Sequence, residues 1–110
     1  MSDMLEGKSY RLQPRFTTIY HPIRIELDLT VNEYVVIDSV HQLSHKPSHP
    51  WCTQSKDDIA EYTGISRRTV FRAIETGLEK GLIEKHERGD VRSTDLWIET
   101  VMLYKQKTAK

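Results

Sequence analysis

The chain has 110 residues, of which 37% are hydrophobic and 29% charged, and 16 Lys and Arg balance 16 Asp and Glu. These values indicate one small soluble domain, and no apolar run is long enough to span a membrane. The single cysteine excludes an internal disulfide and no secretory leader is visible, so we expect a cytoplasmic protein.

The two signs of charge are distributed unevenly along the chain. Residues 1–65 carry six Lys and Arg against nine Asp and Glu, a net charge of −3. Residues 66–110 carry ten against seven, a net charge of +3. A total of zero counts against a general nucleic-acid binder. Docking depends on the local field, however, so the basic second half keeps a nucleic-acid partner open.

The patterns divide the chain into three parts. Residues 1–14 are polar and aperiodic, which predicts a flexible N-terminus. Residues 15–103 carry the patterns of a folded domain, and residues 104–110 are predicted to form a flexible basic tail. From Ile23 to Leu29 apolar and charged residues alternate, which predicts an N-terminal β-strand. This strand could join a sheet or pair with a second copy of the chain, and the sequence leaves both open.

The first predicted helix has a clear beginning and end. Thr30 and Glu33 have the spacing of a capping box, in which each side chain accepts a hydrogen bond from the other residue's backbone N–H. Apolar residues then recur at helical spacing up to about Leu43. Two prolines in the stretch 46–50 predict a loop after it.

A second capping box and a glycine predict a helix, a sharp turn and another helix. Ser55 and Asp58 open a helix that ends at Gly64, where the turn needs a residue without a Cβ atom. Ser66 caps the next helix, which is predicted over about 67–80. A β-hairpin follows in the sequence.

That hairpin is predicted with a long tip. One strand covers 84–88, the tip runs from Gly89 to Thr94, and the second strand covers about 95–101. The order of elements is thus helix, short strand, helix, turn, helix and hairpin.

Arginines follow the cap of the 67–80 helix. Arg67, Arg68 and Arg72 have no acidic residue among them. A helix N-terminus already presents free N–H groups and a partial positive charge. Guanidinium groups added there favour phosphates and guanine edges, as in a DNA-recognition helix. The alternative is a solvated basic helix face.

The motif is carried by Leu29, Thr30, Asn32, Glu33, Ser55, Ile59 to Glu61, Gly64 to Val70, Arg72 to Ile74, and Gly81 to Ile83. Residues 30–83 resemble the winged helix-turn-helix domains at the front of bacterial, phage and plasmid replication proteins and replisome organisers. They resemble MarR and GntR regulators more loosely. The resemblance implies a mainly α fold with a small antiparallel β-hairpin (α+β), namely three helices plus a wing, here with an extra N-terminal strand. It is typical of a fold and not of one role.

One residue departs from the family pattern. The family has a core leucine where this chain has Gly77, and glycine inside a helix costs roughly 0.5–1 kcal/mol relative to alanine. Either Leu78 turns inward to fill the site, or the first helix approaches closely there.

Helix and wing together supply the predicted DNA contacts. Arg67 or Arg68 could reach a guanine, Ser66 and Thr69 could contact phosphate, and Phe71 could meet a thymine methyl or a protein. The predicted DNA-binding residues are Ser66, Arg67, Arg68, Thr69, Phe71, Arg72, Lys85, Arg88 and Arg92.

A histidine and cysteine spacing invites a metal interpretation. His41, His45 and His49 recur every four residues, Cys52 follows, and imidazole and thiolate are zinc ligands. However, His49 lies between two prolines, and Cys52 beside Trp51 is typical of a packed thiol. We therefore predict no metal and no cofactor. The sequence also lacks a glycine-rich phosphate loop and the common hydrolase motifs, so we predict no enzyme.

The sequence thus predicts a sequence-specific binder of double-stranded DNA, in a replication-initiation-type protein or a transcription regulator. Its recognition helix would enter the major groove and its wing would lie on the backbone. The alternative is a winged-helix protein–protein interaction module without direct DNA contact, which zero net charge and Phe71 favour. A second copy of the chain, or another replication or transcription protein, is a further possible partner.

Overall fold

Five helices and one two-stranded antiparallel sheet account for most of the described chain. A computed structural model describes residues 17–48 and 50–108, so the predicted flexible segment 1–14 lies outside them. This architecture confirms the mainly α class with a small antiparallel hairpin. The elements are α1 His21–Glu26, α2 Val31–Gln42, α3 Lys56–Thr63, α4 Arg67–Glu79, β1 Ile83–Lys85, β2 Val91–Ser93 and α5 Asp95–Thr108.

Both predicted capping boxes are confirmed. The Glu33 N–H donates to Thr30 Oγ1 at 3.1 Å, and the Thr30 N–H donates to Glu33 Oε1 at 2.8 Å. At α3 the Asp58 N–H donates to Ser55 Oγ at 3.0 Å, and the Ser55 N–H donates to Asp58 Oδ2 at 3.2 Å. These reciprocal bonds satisfy N–H groups that a helix start leaves without intrahelical partners.

A left-handed glycine makes the turn between α3 and α4. Gly64 has φ of 76°, which glycine adopts without the clash that a Cβ atom brings. Its N–H donates to the Ala60 carbonyl at 2.8 Å and closes α3. Ser66 then caps α4, accepting from the Thr69 N–H at 3.2 Å.

The core forms where α2 packs against α3, α4 and β2. Tyr34 on α2 meets Trp97 on α5, with ring centroids 5.1 Å apart. Val70 and Ala73 fill the inner side of α4, and Leu82 follows from the loop after it. Each of these five side chains is at most 1% exposed, so one continuous core holds the elements together.

The N-terminal strand prediction is wrong, since His21–Glu26 is the helix α1. A proline at its start favours a first helical turn because its fixed φ suits a helix. The Arg24 side chain donates to the Leu29 carbonyl at 3.0 Å, which stabilises the reversal after the helix. Alternation would bury Ile25, yet it is 66% exposed. Since this segment is a helix, two copies of the chain cannot pair through an edge strand here.

The second strand of the hairpin was also predicted in the wrong place. β2 is Val91–Ser93, paired with β1 so that Glu84 lies opposite Arg92, and the reversal occupies 86–90. Residues 95–101 belong to α5. Trp97, Val101 and Tyr104 recur at helical spacing on its inner side, and this spacing selects a helix because a strand would bury every second residue.

A single bridge joins the loop before α3 to the hairpin. The Cys52 N–H donates to the Val91 carbonyl at 2.8 Å, so the short strand expected between the first two predicted helices is reduced to this bridge. At the other end, α5 continues to Thr108, so helix extends into the segment predicted as a flexible tail. None of the helices in the described ranges is long and apolar enough to cross a membrane.

Candidate nucleic-acid interface

The outer side of α4 carries most of the predicted contact residues. Its buried residues Val70, Ala73, Ile74 and Gly77 recur at three- and four-residue spacing and turn one side of the helix to the core. The opposite side of α4 therefore faces solvent. The exposed predicted residues there are Ser66, Arg67, Arg68, Phe71 and Arg72, and Thr69 is partly buried.

Arg67 forms an ion pair across the turn. Its Nε lies 2.6 Å from Asp57 Oδ1, and the two side chains are 69% and 70% exposed. Exposed ion pairs contribute at most about 1 kcal/mol. The pair holds the Arg67 guanidinium against α3. Because the pair is weak, another anion such as a phosphate can take the place of the Asp57 carboxylate.

Arg68 and Arg72 have no such restraint. Both are exposed, and neither makes an ion pair or a side-chain hydrogen bond within the described part of the chain. They lie four residues apart, so their side chains project from the same side of the helix. Two unpaired guanidinium groups thus occupy the first two turns of α4.

Ser66 and Thr69 are engaged in capping. Ser66 Oγ accepts from the Thr69 N–H and donates to Thr69 Oγ1 at 2.9 Å. The first intrahelical bond runs from the Val70 N–H to the Ser66 carbonyl at 2.9 Å. The N–H groups of Arg67 and Arg68 precede it, so they are the backbone donors a phosphate would meet.

Phe71 is half exposed, as its position predicts, with 46% of its surface in solvent. Lys56 Nζ lies 5.1 Å from its ring centroid, a cation–π distance. Sequence reasoning missed Lys56. The sequence did contain a signal for it. Lys56 is the first residue of α3, directly after the Ser55 cap, and in the fold its side chain lies beside Phe71 of α4.

The hairpin holds its basic residues differently. Arg92 Nε donates to Glu84 Oε2 at 2.8 Å, and its guanidinium carbon lies 4.1 Å from the Trp51 ring centroid. His86 meets the same indole edge-on at 5.1 Å. Arg92 is thus held within the protein, so its contact with DNA stays a prediction with less support than those on α4.

The other two predicted hairpin residues face solvent. Arg88, whose side chain is 73% exposed, lies 3.8 Å from Asp90, and this long ion pair leaves the Arg88 guanidinium available. Lys85 is exposed and makes no ion pair with any residue the structure describes. Lys85 and Arg88 are therefore the hairpin cations open to a phosphate.

Two of the four residues with metal-like spacing share a serine. His45 Nε2 lies 2.9 Å from the Ser93 carbonyl, which can only accept, so this nitrogen donates to it. The Ser93 hydroxyl, fully buried, lies 2.8 Å from His41 Nδ1. Burial, followed by the charges of His45 and Lys105, lowers the pKa of His41. Both imidazoles therefore tie α2 and its following loop to β2.

Cys52 lies apart from this arrangement in the core. It is 1% exposed, and burial raises the pKa of its thiol, so the thiolate that a metal requires is disfavoured. His49 lies outside the described residues. Within 17–48 and 50–108, no group of three or more His, Cys, Asp or Glu is placed to hold a metal ion.

A cleft lies between α2 and α5, a feature that sequence reasoning missed. Its volume is about 290 Å³. Burial raises the pKa of Asp38 in its wall, and Gln42 Nε2 donates to that carboxylate at 2.6 Å. Burial also raises the pKa of Tyr34 to about 12. The lining residues are Thr18, Tyr20, Tyr34, Asp38, His41, Gln42, Trp97, Val101 and Lys105.

No protein-family model, curated protein or solved structure matches this chain.

Proposed function

We propose that this chain is a winged helix-turn-helix domain that binds double-stranded DNA in a sequence-specific manner. One observation carries the proposal: Arg68 and Arg72 project unpaired from the exposed side of α4, next to a capped helix start. The order of α3, the Gly64 turn and α4 is the one expected of such a domain, and it supports the proposal. The same site would serve a replication-initiation-type protein or a transcription regulator.

In this proposal α4 enters the major groove with its N-terminal turns foremost. Arg68 and Arg72 reach base edges, where a bidentate arginine–guanine pair gives about 1–3 kcal/mol of discrimination. The N–H groups at the helix start, with the Ser66 and Thr69 hydroxyls, face the phosphates. Lys85 acts from the hairpin as the wing, on the DNA backbone.

Arg67 has a separate role in this mechanism. Before binding, Asp57 neutralises it. On DNA the Arg67 guanidinium exchanges the Asp57 carboxylate for a phosphate. The contact therefore contributes less net affinity than a free arginine would, because one ion pair replaces another.

The decisive experiment compares binding to duplex DNA across a salt series. DNA sites are first selected from a random pool, and binding of wild type to the selected site is then measured by fluorescence anisotropy. We expect log affinity to fall linearly with log salt concentration. The Arg68→Ala/Arg72→Ala variant should lose about 2–5 kcal/mol of binding free energy, with a smaller salt slope.

A matched control removes the same kind of charge elsewhere. Lys46→Ala takes one cation from an exposed loop outside α4 and the hairpin, and it should bind DNA within about twofold of wild type. Circular dichroism establishes that each variant stays folded. Wild type that selects no sequence at low salt, or a double variant that binds like wild type, would overturn the proposal.

The second candidate function is a protein–protein interaction module. Phe71, 46% exposed between the arginines, favours it because a half-exposed aromatic ring is a common contact anchor. Two variants distinguish the two functions. A protein partner anchored by Phe71 would lose most of its affinity in Phe71→Ala and little in Arg68→Ala/Arg72→Ala, the reverse of what DNA binding requires.

A further inference from the structure

The cleft between α2 and α5 combines opposite charges with an apolar interior. Asp38 on α2 and Lys105 on α5 both line it. Tyr34 and Trp97 line it as well, and because each is only 1% exposed they close its inner end. Its volume of about 290 Å³ is that of about ten water molecules at about 30 Å³ each, which leaves room for a ligand of about ten non-hydrogen atoms.

One oxygen of the Asp38 carboxylate is open to a ligand. Oδ2 accepts from Gln42 Nε2 at 2.6 Å, whereas Oδ1 has no hydrogen-bond partner among residues 17–48 and 50–108. No fully buried side-chain oxygen in those ranges lacks a partner, so Oδ1 is reachable from outside. Burial raises the pKa of this carboxyl because its charge is poorly solvated. A cationic donor would compensate for that lost solvation, so Oδ1 favours an ammonium group.

His41 turns a hydrogen-bond donor toward the same cleft, which it also lines. His45 Nε2 donates to the Ser93 carbonyl, so it cannot accept the proton of the buried Ser93 hydroxyl. His41 Nδ1, 2.8 Å from that hydroxyl, is the acceptor left for it. The neutral His41 ring then carries its hydrogen on Nε2, which makes no hydrogen bond within the described ranges. Nε2–H and the Lys105 ammonium are thus two donors for an anion.

These polar groups lie close enough together to act on one ligand. Burial shifts the pKa of Asp38 upward and that of His41 downward, and the charge of Lys105 lowers both, which places Lys105 near both. Yet Lys105 forms no ion pair with any residue that the structure describes. A ligand with a single charge would displace water and leave one of these groups unpaired. A ligand that carries both charges pairs with each of them.

We propose that this cleft binds a small α-amino acid as its zwitterion. The ammonium group binds Asp38 Oδ1, and the carboxylate binds His41 Nε2–H and the Lys105 ammonium. An apolar side chain lies against Tyr20 and Val101, which line the same cleft. The inference does not rest on the proposed DNA binding, because α4 contributes none of the described lining residues.

Isothermal titration of the full chain with amino acids tests the proposal. The probes are L-leucine, L-methionine, L-phenylalanine and L-valine, whose sizes suit the cleft. For ligands this small we expect the best of them to bind with a dissociation constant between about 10 µM and 1 mM. Wild type that binds none of the four at concentrations up to about 10 mM would overturn the proposal.

Analogues with one charge test the recognition of both ends. For L-phenylalanine they are phenethylamine, which lacks the carboxylate, and hydrocinnamate, which lacks the ammonium group. The corresponding amine and acid of the tightest binder should each bind at least about tenfold more weakly than the amino acid, since each leaves a charged group of the cleft unpaired. An analogue that binds as tightly as the amino acid would show that only one charge is recognised, which contradicts a zwitterion site.

Two variants assign the ends of the ligand. Asp38→Asn keeps an acceptor for Gln42 but loses the charge, so it should weaken the amino acid and the amine at least about tenfold and leave the acid no weaker. Lys105→Met keeps an aliphatic stem and should weaken the amino acid and the acid while sparing the amine. Lys107→Met removes an exposed lysine of the same helix that does not line the cleft. This matched control should bind within about twofold of wild type.

Circular dichroism establishes that each variant stays folded. Unchanged amino-acid binding in Asp38→Asn would contradict the assigned ammonium site. Equal weakening of amino acid, amine and acid by one variant would show a structural effect and contradict the assigned charges, as would weakening by Lys107→Met. DNA binding is measured separately, so failure of either proposal leaves the other standing.

Discussion

Gly77 is buried inside α4 because a neighbour occupies the space of a side chain. A Cβ atom there would lie 2.7 Å from Ile83 Cδ1 and 3.4 Å from Ile37 Cγ1. Ile83 of β1 therefore fills the space that a side chain at position 77 would occupy. The sequence did not foresee Ile83, which is the nearest neighbour, while Ile37 of α2 lies at about van der Waals distance.

Adding one methyl group at this position should destabilise the protein. In Gly77→Ala the new Cβ overlaps Ile83 in a dense core, and such overpacking costs about 1–3 kcal/mol. The better helix propensity of alanine returns about 1 kcal/mol. We expect a net loss of about 1 kcal/mol in the free energy of unfolding, measured by urea denaturation.

Two companion variants identify the cause. Glu79→Ala alters an exposed position near the end of the same helix and should change stability by less than about 0.5 kcal/mol. Ile83→Val removes the atom closest to the new methyl, so it should cost less in the Gly77→Ala background than in wild type. Additive losses would show that Ile83 is not the obstacle.

At the scale of elements, α2 and β2 are joined through the histidine pair at Ser93. The Ser93 hydroxyl can donate to His41 Nδ1 only while that nitrogen is unprotonated. Burial, then the charges of His45 and Lys105, lowers the pKa of His41 below 6.5. The fold thus holds His41 neutral at neutral pH.

Stability should therefore fall as the solution is acidified. With the folded pKa of His41 below the unfolded one, the unfolded chain binds more protons in the window just below pH 6.5. The contribution is complete above about pH 7.5, begins to decrease near the unfolded pKa of about 6.5, and is lost as pH falls through the lower folded pKa. Urea denaturation at steps between these values and about pH 5.5 measures it.

The variant His41→Gln provides the control for this dependence. Glutamine can still bond to Ser93 but does not titrate, so the slope of unfolding free energy against pH should be smaller than in wild type. An unchanged slope would assign the effect to other histidines. Asp38 does not confuse the result, because burial raises its pKa and a raised carboxyl pKa makes stability fall as pH increases, the opposite sign.

The elements that the sequence predicted well are those with local chemical signals. Thr30, Ser55 and Ser66 each cap a helix through bonds to residues three positions on. Such signals lie within one turn and do not depend on the rest of the chain. The starts of α2, α3 and α4 could therefore be read directly.

The two errors arose where the pattern was read with the wrong period. Ile23 and Leu29 are buried as an alternating strand requires, but Ile25 between them is not. In α5 the helical spacing of Trp97 and Val101 was present in the sequence and was assigned to a strand. Tertiary packing decides the structure of such short apolar segments: α1 packs against α5, and its Ile23 is part of the core.

The candidate site was predictable only in part. The exposure of Arg68, Phe71 and Arg72 follows from the helical period, which the sequence contains. The pairing of Arg67 with Asp57, and of Arg92 with Trp51, depends on how separate elements come together. No local pattern contains that information, so the sequence could not rank the arginines by availability.

At the scale of the whole molecule, a single core makes Cys52 a reporter of global opening. Its side chain is 1% exposed, its N–H bonds to Val91, and burial raises the pKa of its thiol. A thiol reagent reaches such a group only when the surrounding structure opens. The described core includes residues from all five helices and both strands.

We therefore expect slow labelling of Cys52 by a chromogenic disulfide reagent in native buffer. The rate should be at least about 100-fold below that of the urea-unfolded chain. Its dependence on urea should match that of global unfolding. The unfolded chain is the control for intrinsic reactivity. Rapid stoichiometric labelling without urea would show instead that the bridge to Val91 opens on its own.

The Arg67–Asp57 pair affects how the molecule as a whole would respond to ionic conditions. Arg67 and Asp57 together carry no net charge, so bringing the pair to DNA neutralises less phosphate charge, and releases fewer counterions, than a lone arginine would. Arg67 would then hold DNA without adding to the salt sensitivity of the complex, so a count of released ions would register fewer arginines than the interface contains.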